Sequence, residues 1–357
     1  MHGVSAIRDT GPARPSPRGP DGLREPAGAD LSEPESLEPL ARDALLAFGA
    51  DPRSGLRLLN VSENATFAVE DPRDGVRTVL RLHRRGYHDR RAILSELAWV
   101  RRLREEGIVD VPEILPAPDG EPVVLARHPD GGTRHAVRFS WVEGEEPSGD
   151  RLAEDFAALG AIAARLHRHA RGWRLPGGFT RLRWDWWTSV GPRGHWGRWQ
   201  AGQGVGPAER ALLTRLSTVL RRRLAAFGEG PDRFGLVHAD MRTANLLVRP
   251  GDPTVHVIDF DDCGFSWFLY DLAASLSFIE HDPRVPELVD SWVTGYRTVG
   301  PLPPEQEAEL PTLVMLRRLL LIAWVGSRAG TDLARGSGAD LTRTGCDLAE
   351  GYLTRFG

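Results

Sequence analysis

The chain has 357 residues, of which 41% are hydrophobic and 26% charged, an ordinary composition for a soluble enzyme with two lobes of domain size. Its net charge of −4 and pI near 6.3 give no support for nucleic-acid binding, which normally leaves a basic footprint. No apolar run reaches the roughly 20 residues that a bilayer requires, and two cysteines exclude a disulfide framework or a cysteine metal cluster.

The first part of the chain is expected to form a tail followed by a small mixed lobe. Residues 1–33 are rich in Pro, Gly, Ala and Arg without periodicity, and they lack the apolar core of a signal peptide. We therefore expect a disordered tail and a cytoplasmic protein. Over residues 34–143, hydrophobic periodicity predicts a helix at 37–48, strands at 56–59, 67–70 and 78–82, a helix at 93–106, and strands at 121–126 and 135–142.

The rest of the chain, residues 144–357, is expected to form a second, mostly helical lobe. Helices are predicted at 151–169, 207–227, 267–279, 285–299, 305–327 and 341–355, and Pro311 is expected to kink or split the fifth of them. Six of the eleven tryptophans fall within residues 171–199. That segment forms either an aromatic lid over a pocket or a long loop packed on this lobe, and the sequence leaves the choice open.

The most informative residues lie between two of these helices, where His238 and Asp240 are followed by Asn245 and, at the end of an apolar strand, by Asp259. Kinase-type phosphoryl transfer requires a carboxylate at the attacking hydroxyl, and an amide and a second carboxylate on Mg²⁺. Apolar residues flank these positions and predict a strand–loop–strand hairpin that holds them at short range. The spacing therefore predicts Asp240 as the catalytic base, and Asn245 and Asp259 as the ligands of Mg²⁺.

These motifs resemble those of the aminoglycoside phosphotransferase-like family of small-molecule kinases, which includes choline kinases and related homoserine or serine kinases. The likeness rests on the H-x-D-x-x-x-x-N pattern from His238 to Asn245, on Ile258-Asp259-Phe260 and on Tyr270-Asp271-Leu272-Ala273. It is sharp over residues 235–275 and weak over most of residues 50–355.

The resemblance implies an α+β, protein-kinase-like fold with two lobes. A small antiparallel-sheet N-lobe, residues 34–143, would bind the nucleotide. A mostly helical C-lobe, residues 144–357, would carry the catalytic residues and bind the acceptor. The resemblance also implies ATP and Mg²⁺ as cofactors and a hydroxyl of a small molecule as the acceptor.

Three neighbours of the motif have other expected roles. His238 is expected to brace the catalytic loop by hydrogen bonds rather than to transfer protons. Arg242 stands where many members of the family carry His, and contact with phosphate and exposure to solvent are equally open. Asp271 resembles a buried Asp that holds backbone amides of the catalytic loop, which is a structural role.

The chain contains no lysine, so its 45 Lys+Arg residues are all arginine, and any fixed positive side chain at a phosphate must be a guanidinium. Arg81 lies on the third predicted strand, where a kinase carries its phosphate-binding lysine. Glu96, on the following helix, is then the expected ion-pair partner. His83 lies on the same strand face and is a rival for this role.

Residues 60–66 join the first two strands in place of a glycine-rich loop, and they include Ser62 and Asn64. These side chains either contact phosphate, as the resemblance favours, or form an ordinary turn. The resemblance also places the adenine against backbone groups of residues 139–142. Ser140 and Val142 are therefore expected contacts of the nucleotide.

The residues that suggest an acceptor give competing signals. Asp261 and Asp262 either bind a cationic group, as an amino sugar or an amino acid would need, or solvate a loop. Arg317 and Trp324 share one face of a helix that is apolar nearly all round, and a buried arginine requires an anion. That anion is a substrate carboxylate or, as we favour, a nearby acidic residue.

The leading interpretation is an ATP- and Mg²⁺-dependent phosphotransferase that moves the γ-phosphate to a hydroxyl of an amino acid, an amino sugar or an antibiotic. A protein serine/threonine kinase is disfavoured, because the chain lacks the glycine loop and the Ala-Pro-Glu segment and has Asp-Phe-Asp in place of Asp-Phe-Gly. A catalytically silent nucleotide-binding regulator is disfavoured by the intact Asp240, Asn245 and Asp259. The acceptor, the choice of ATP or GTP, and a monomeric or homodimeric state are left open.

Overall fold

The computed structural model describes residues 34–61, 64–147, 151–249, 251–252, 254–328 and 332–357. The tail predicted at 1–33 and the predicted nucleotide contact Ser62 lie outside the described residues. An antiparallel sheet with two helices is followed by a mainly helical region, which confirms the predicted fold class.

The sheet of the N-terminal region positions the nucleotide-side residues. Its strands lie in the order β1 (Gly55–Val61), β2 (Ala65–Glu70), β3 (Arg77–Leu82), β5 (Thr133–Ser140) and β4 (Val124–Arg127). Successive residues of a strand point to opposite faces of the sheet. A different helix covers each of the two faces. Leu80 and Ala136 pack with α1 (Pro34–Ala47), whereas Val137 packs with α2 (Arg90–Glu105). Arg81 alternates with Leu80 and therefore lies on the α2 face.

The C-terminal region contains two small sheets among helices. One sheet has the order β6 (Leu182–Arg183), β10 (Gly264–Trp267) and β7 (Phe234–Val237), and the other is the hairpin of β8 (Leu246–Val248) and β9 (Val255–Val257). The helices are α3 (Leu152–Gly172), α4 (Trp186–Ser189), α5 (Pro207–Phe227), α6 (Tyr270–Ser275), α7 (Val285–Arg297), α8 (Pro304–Glu307), α9 (Leu310–Ser327) and α10 (Asp332–Phe356). They share one hydrophobic core, in which α9 is buried nearly all round.

Helices α3 and α7 cross in close backbone contact at two glycines. A Cβ atom on Gly160 would lie 2.0 Å from the carbonyl oxygen of Trp292, and one on Gly295 would lie 1.9 Å from that of Ala157. Neither position has room for a side chain. The crossing bears on the site, because α3 also carries His167, whose Nε2 lies 2.9 Å from the Asp271 carboxylate.

Two predictions for the C-terminal region had different outcomes. The prediction of a helix at 267–279 is wrong at its start. Gly264–Trp267 pairs with β7 as a strand, and α6 spans Tyr270–Ser275. The predicted split at Pro311 is confirmed, since α8 ends at Glu307 and α9 begins at Leu310. The stretch Pro304–Ser327 is long and apolar enough to cross a membrane, but 72% of its apolar window is buried inside the protein, as in a core helix.

Candidate active site

The β8–β9 hairpin brings two of the motif residues to one end. A short 3-10 helix, Thr243–Asn245, leads directly into β8, and β9 is followed by Ile258 and Asp259. The backbone N–H of Ile258 donates to the carbonyl oxygen of Asn245 at 3.0 Å. The side chains of Asn245 and Asp259 therefore project from neighbouring parts of the backbone.

The carboxylate of Asp240 is held by three side chains. Arg317 donates to its Oδ1 at 2.7 Å, while Arg242 Nε and Asn245 Nδ2 donate to its Oδ2 at 3.2 and 2.9 Å. Burial by itself raises the pKa of this carboxyl, but the charges of Arg242 and Arg317 outweigh burial and lower the pKa below its usual range. Asp240 is therefore an ionised and oriented carboxylate that can accept a hydrogen bond from a hydroxyl.

The anion that buried Arg317 requires is Asp240, which matches the nearby acidic residue that we favoured over a substrate carboxylate. Arg317 also donates to Ser277 Oγ at 2.9 Å and to the carbonyl oxygen of Ala239 at 3.2 Å. Its guanidinium lies 5.1 Å from the ring centre of Trp196. Arg317 thus binds both the backbone and the Asp240 side chain of the loop that follows β7.

His238 and Asp271 hold the catalytic loop in place. His238 Nδ1 accepts from the N–H of Asp240 at 3.3 Å, and Nε2 bonds to the carbonyl oxygen of Ile258 at 3.1 Å. Burial lowers the pKa of His238, so the ring is neutral. The Asp271 carboxylate accepts from the N–H of Ala239 at 2.7 Å and from that of His238 at 3.3 Å. These bonds stabilise Ala239 at a φ of 67°, a conformation that few non-glycine residues adopt.

On the nucleotide side, Arg81 and Glu96 form a buried ion pair. The pair forms because α2 covers the face of the sheet that carries Arg81. The same guanidinium lies 3.4 Å from Oδ1 of Asp259. Arg81 therefore stands between α2 and the predicted metal ligand, where the corresponding kinase lysine contacts phosphates.

Asn245 and Asp259 fit a divalent cation. The Asn245 amide nitrogen bonds to Asp240, and among the described residues no donor bonds to its Oδ1, which is available as a ligand. Partial desolvation in the cleft and the charges of Asp261 and Asp240 raise the pKa of Asp259 to about 6, although Arg81 opposes the shift. Its side chain keeps 48% of its surface accessible, so an ion can reach it. The amide oxygen of Asn245 and the carboxylate of Asp259 are the kinds of oxygen ligand that a hard divalent cation prefers.

The other predicted nucleotide contacts lie along the sheet and the link that follows it. Asn64 is 7% exposed, and its Oδ1 accepts from the N–H of Arg84 at 3.1 Å. Ser140 ends β5, and its Oγ accepts from the N–H of Glu113 at 2.9 Å. Val142 follows in the link to the C-terminal region. The oxygens of Asn64 and Ser140 are thus used within the protein, which leaves the Asn64 amide nitrogen and backbone groups for a nucleotide.

A largely buried cluster of Asp262, Tyr87 and Trp196 adjoins Arg317, the partner of Asp240. Tyr87 Oη donates to Asp262, and Trp196 Nε1 donates to Tyr87 Oη at 2.9 Å. Trp196 also packs against Arg317, so contacts run without a break from Asp262 to Asp240. Burial and the charges of Asp240 and Asp261 raise the pKa of Asp262 to about 8. A positive charge beside Asp262 would therefore stabilise its ionised carboxylate.

No sequence motif predicts a role for Tyr87 or Trp196, and Asp262 was open between cation binding and loop solvation. The tryptophan-rich segment packs on the C-terminal region, which was one of the two predicted alternatives. Trp184 and Trp199 are 1% and 2% exposed and pack in the C-terminal core, whereas Trp196 borders the Asp262 cluster. No sequence signal distinguishes Trp196 from its neighbours.

The sequence model of the phosphotransferase enzyme family matches residues 55–308. The chain belongs to this family. A solved microcompartment-associated aminopropanol kinase is 46% identical, with a TM-score of 0.83 and coverage of 89% of this chain and 98% of that one. Amicoumacin kinase of Bacillus subtilis (strain 168) is 25% identical over 64% of this chain and 68% of its own length. A solved amicoumacin kinase is 22% identical and shares the fold, with a TM-score of 0.72. The match covers 87% of this chain and 92% of that one.

Membership of the phosphotransferase enzyme family confirms the resemblance drawn from the motifs and the predicted enzyme class. The protein is a phosphotransferase of the small-molecule kinase type. The two alternatives, a protein kinase and a catalytically silent regulator, find no support among these relatives.

Proposed function

We propose that this phosphotransferase transfers the γ-phosphate of ATP, with Mg²⁺, to the hydroxyl of a small amino alcohol. The observation that carries the proposal is the Asp262 cluster, a buried carboxylate among aromatic rings that is joined by contacts to Asp240. The 46% identity to an aminopropanol kinase supports this class of acceptor.

Asp240 would orient the acceptor hydroxyl and take its proton as the phosphoryl group leaves the nucleotide. Its lowered pKa makes it a weak base. The proton would therefore move late, when the hydroxyl oxygen has already begun to bond to phosphorus. Arg317 and Asn245 fix the carboxylate, while His238 fixes the backbone beneath it.

Asn245 and Asp259 would hold Mg²⁺, which neutralises charge on the phosphates when it is bound. Arg81, fixed by Glu96, would contact the α- and β-phosphates, and its guanidinium supplies a permanent charge there. The solved amicoumacin kinase, which has the same fold, contains AMP-PNP and Ca²⁺, and this supports the use of a nucleotide with a divalent metal.

The ammonium group of the acceptor would bind at Asp262. A cation there supplies the missing charge, and the faces of aromatic rings attract it further. The Asp240 charge contributes to the raised pKa of Asp262, so the two carboxylates are close enough to interact. A small acceptor would place its amine at Asp262 and its hydroxyl at Asp240.

The test is ADP release from MgATP across matched acceptors. Ethanolamine and 1-amino-2-propanol are compared with 1,2-propanediol, which lacks the amine, and with serine, an amino sugar, amicoumacin and a peptide library. We expect the amino alcohols to exceed propanediol by at least about 30-fold in kcat/KM, because the diol cannot form the charge-assisted hydrogen bond to Asp262, a kind of bond that contributes about 1.5–3 kcal/mol. Equal rates with propanediol, or turnover with peptides alone, would contradict the proposal.

A further inference from the structure

Six buried polar atoms without a hydrogen-bond partner among the described residues lie together between β3, α2 and the segment after β9. They are both ring nitrogens of His83, both carboxylate oxygens of Asp261, Oε2 of Glu96 and Nε of Arg81. None of the four residues is more than 5% exposed. A buried polar group left without a partner costs about 1–3 kcal/mol, and more when it is charged. This concentration of unpaired groups indicates that a bound species completes the cluster.

The donor atoms of this cluster are arranged as metal ligands. One ligand atom from each of His83, Glu96 and Asp261 lies within 4.8 Å of the other two. His83 Nδ1 and Asp261 Oδ1 are 3.4 Å apart, which is close to the separation of two ligands that bind one ion at about 2.1 Å. One imidazole nitrogen with two carboxylates suits Zn²⁺ or Mn²⁺, whereas Mg²⁺ prefers oxygen ligands and water.

The charges around the cluster also favour a cation. Arg81 is already paired with Oε1 of Glu96. Arg181, the other buried arginine nearby, donates to the backbone carbonyls of Asp261 and Cys263 rather than to the Asp261 carboxylate. His88 Nε2 bonds to the backbone carbonyl oxygen of Asp261 at 2.9 Å and lies 3.8 Å from its carboxylate. Among the described residues, no side chain donates a hydrogen bond to the Asp261 carboxylate, which is 4% exposed.

We propose that His83, Glu96 and Asp261 bind a divalent transition-metal ion, Zn²⁺ or Mn²⁺, at a site distinct from the Mg²⁺ site of Asn245 and Asp259. The ion would join the residue that follows β3 to α2 and to the segment after β9. It would thereby fix Glu96 beside Arg81 and connect the N-terminal sheet to the catalytic segment.

Metal content and metal binding of the full chain test this site, both without nucleotide, so the result does not depend on the proposed kinase activity. Protein purified without chelator or histidine tag is expected to carry close to one equivalent of transition metal by plasma mass spectrometry. After treatment with a chelator, Co²⁺ should bind at one equivalent with visible ligand-field absorption, and excess Mg²⁺ should not displace it.

Variants of the ligands locate the site. His83→Gln and Asp261→Asn should each weaken Co²⁺ binding by at least about 100-fold, because even the outer partners of metal ligands contribute about 10- to 100-fold. His281→Gln, which changes an exposed histidine, is the control and should bind Co²⁺ as the wild type does. Folded wild-type protein that binds neither Zn²⁺ nor Co²⁺ at micromolar concentrations would overturn the proposal, whatever the variants do. Unchanged binding in His83→Gln would overturn it as well.

Discussion

At the scale of single residues, the site contains two carboxylates whose pKa values move in opposite directions. Arg242 and Arg317 lower the pKa of Asp240 against the effect of burial, whereas burial and neighbouring carboxylates raise that of Asp262 to about 8. Asp240 is therefore ionised and suited to a hydroxyl, while Asp262 would gain its charge when the proposed ammonium group binds. Neighbouring acids with such different environments have different roles.

Asp240→Asn should lower kcat by about 10²- to 10⁴-fold, the usual contribution of a general base. The amide oxygen still accepts from Arg317, and only the hydrogen bonds of Oδ2 with Arg242 and Asn245 are lost. Affinity for MgATP should change little, since the nucleotide contacts are elsewhere. Steady-state kinetics and calorimetric titration with nucleotide measure both effects. A kcat close to that of the wild type would remove Asp240 from the mechanism.

Arg242→Gln tests the cause of the lowered pKa of Asp240. As the proposed base, Asp240 would act when deprotonated, so its lowered pKa would extend activity toward acidic pH, and loss of Arg242 lets that pKa rise. The acidic limb of the kcat profile should therefore move to higher pH, with little change in KM for ATP. An unmoved limb with a raised KM for ATP would instead assign Arg242 to a phosphate.

Asp262→Asn should raise KM for an amino alcohol by about 30-fold or more, with a smaller effect on kcat. The amide oxygen still accepts from Tyr87, so the change removes charge rather than the hydrogen bond. The raised pKa of Asp262 also makes the free energy of unfolding depend on pH. The folded protein keeps the Asp262 proton up to about pH 8, whereas an unfolded chain loses it near pH 4, so this group lowers stability as pH rises between these values.

Without acceptor at pH 8, Asp262→Asn should therefore be at least as stable as the wild type in thermal unfolding. 1,2-Propanediol serves as the neutral control acceptor, and its KM should not change. A variant with unaltered KM for the amino alcohol would separate Asp262 from acceptor binding.

At the scale of helices and strands, local patterns were sufficient for much of the fold. Helix α5, predicted at 207–227, spans Pro207–Phe227, because its apolar residues recur at helical spacing between a proline and a glycine. The catalytic motif was equally predictable, since His238, Asp240 and Asn245 lie close together in sequence, although β7 pairs with β10 rather than with β8. The four-residue strand β10 was missed, because its aromatic residues suit a helix as well and pairing with β7 decides between them.

Contacts between distant parts of the chain could not be predicted. Asp240 and Arg317 are 77 residues apart, and Tyr87 and Asp262 are 175 apart. Hydrophobic periodicity describes only the element in which a residue lies. The sequence therefore identified the need of Arg317 for an anion, but it could not decide which anion, and it gave no signal for Tyr87.

Gly295→Ala tests the crossing of α3 and α7. The added methyl group would lie 1.9 Å from the carbonyl oxygen of Ala157, so the helices must separate. We expect a loss of about 3 kcal/mol or more in the free energy of unfolding, at the upper end of overpacking effects. Denaturant unfolding followed by circular dichroism measures it. Gly172→Ala, at the open end of α3, is the control and should be neutral or stabilising. Equal stability of the two variants would show that the crossing tolerates a side chain.

At the scale of the whole molecule, the segment from Asp259 to Asp262 connects the two regions of the protein. Asp259 lies beside Arg81 of β3, and Asp262 accepts from Tyr87, which follows β3. Phe260, between them, packs against the ring of His238 at 4.5 Å. One short segment would thus serve the nucleotide, the proposed transition metal and the acceptor, and a shift in it would affect all three together.

The central claim is that the chain forms a phosphate ester on the hydroxyl of a small amino alcohol. Phosphorus NMR of a reaction with MgATP and 1-amino-2-propanol tests this directly. We expect a new phosphomonoester signal, split by the proton on the ester carbon, that grows as ADP forms and is absent with Asp240→Asn. Release of inorganic phosphate alone, or a phosphoramidate signal from the amine, would contradict it.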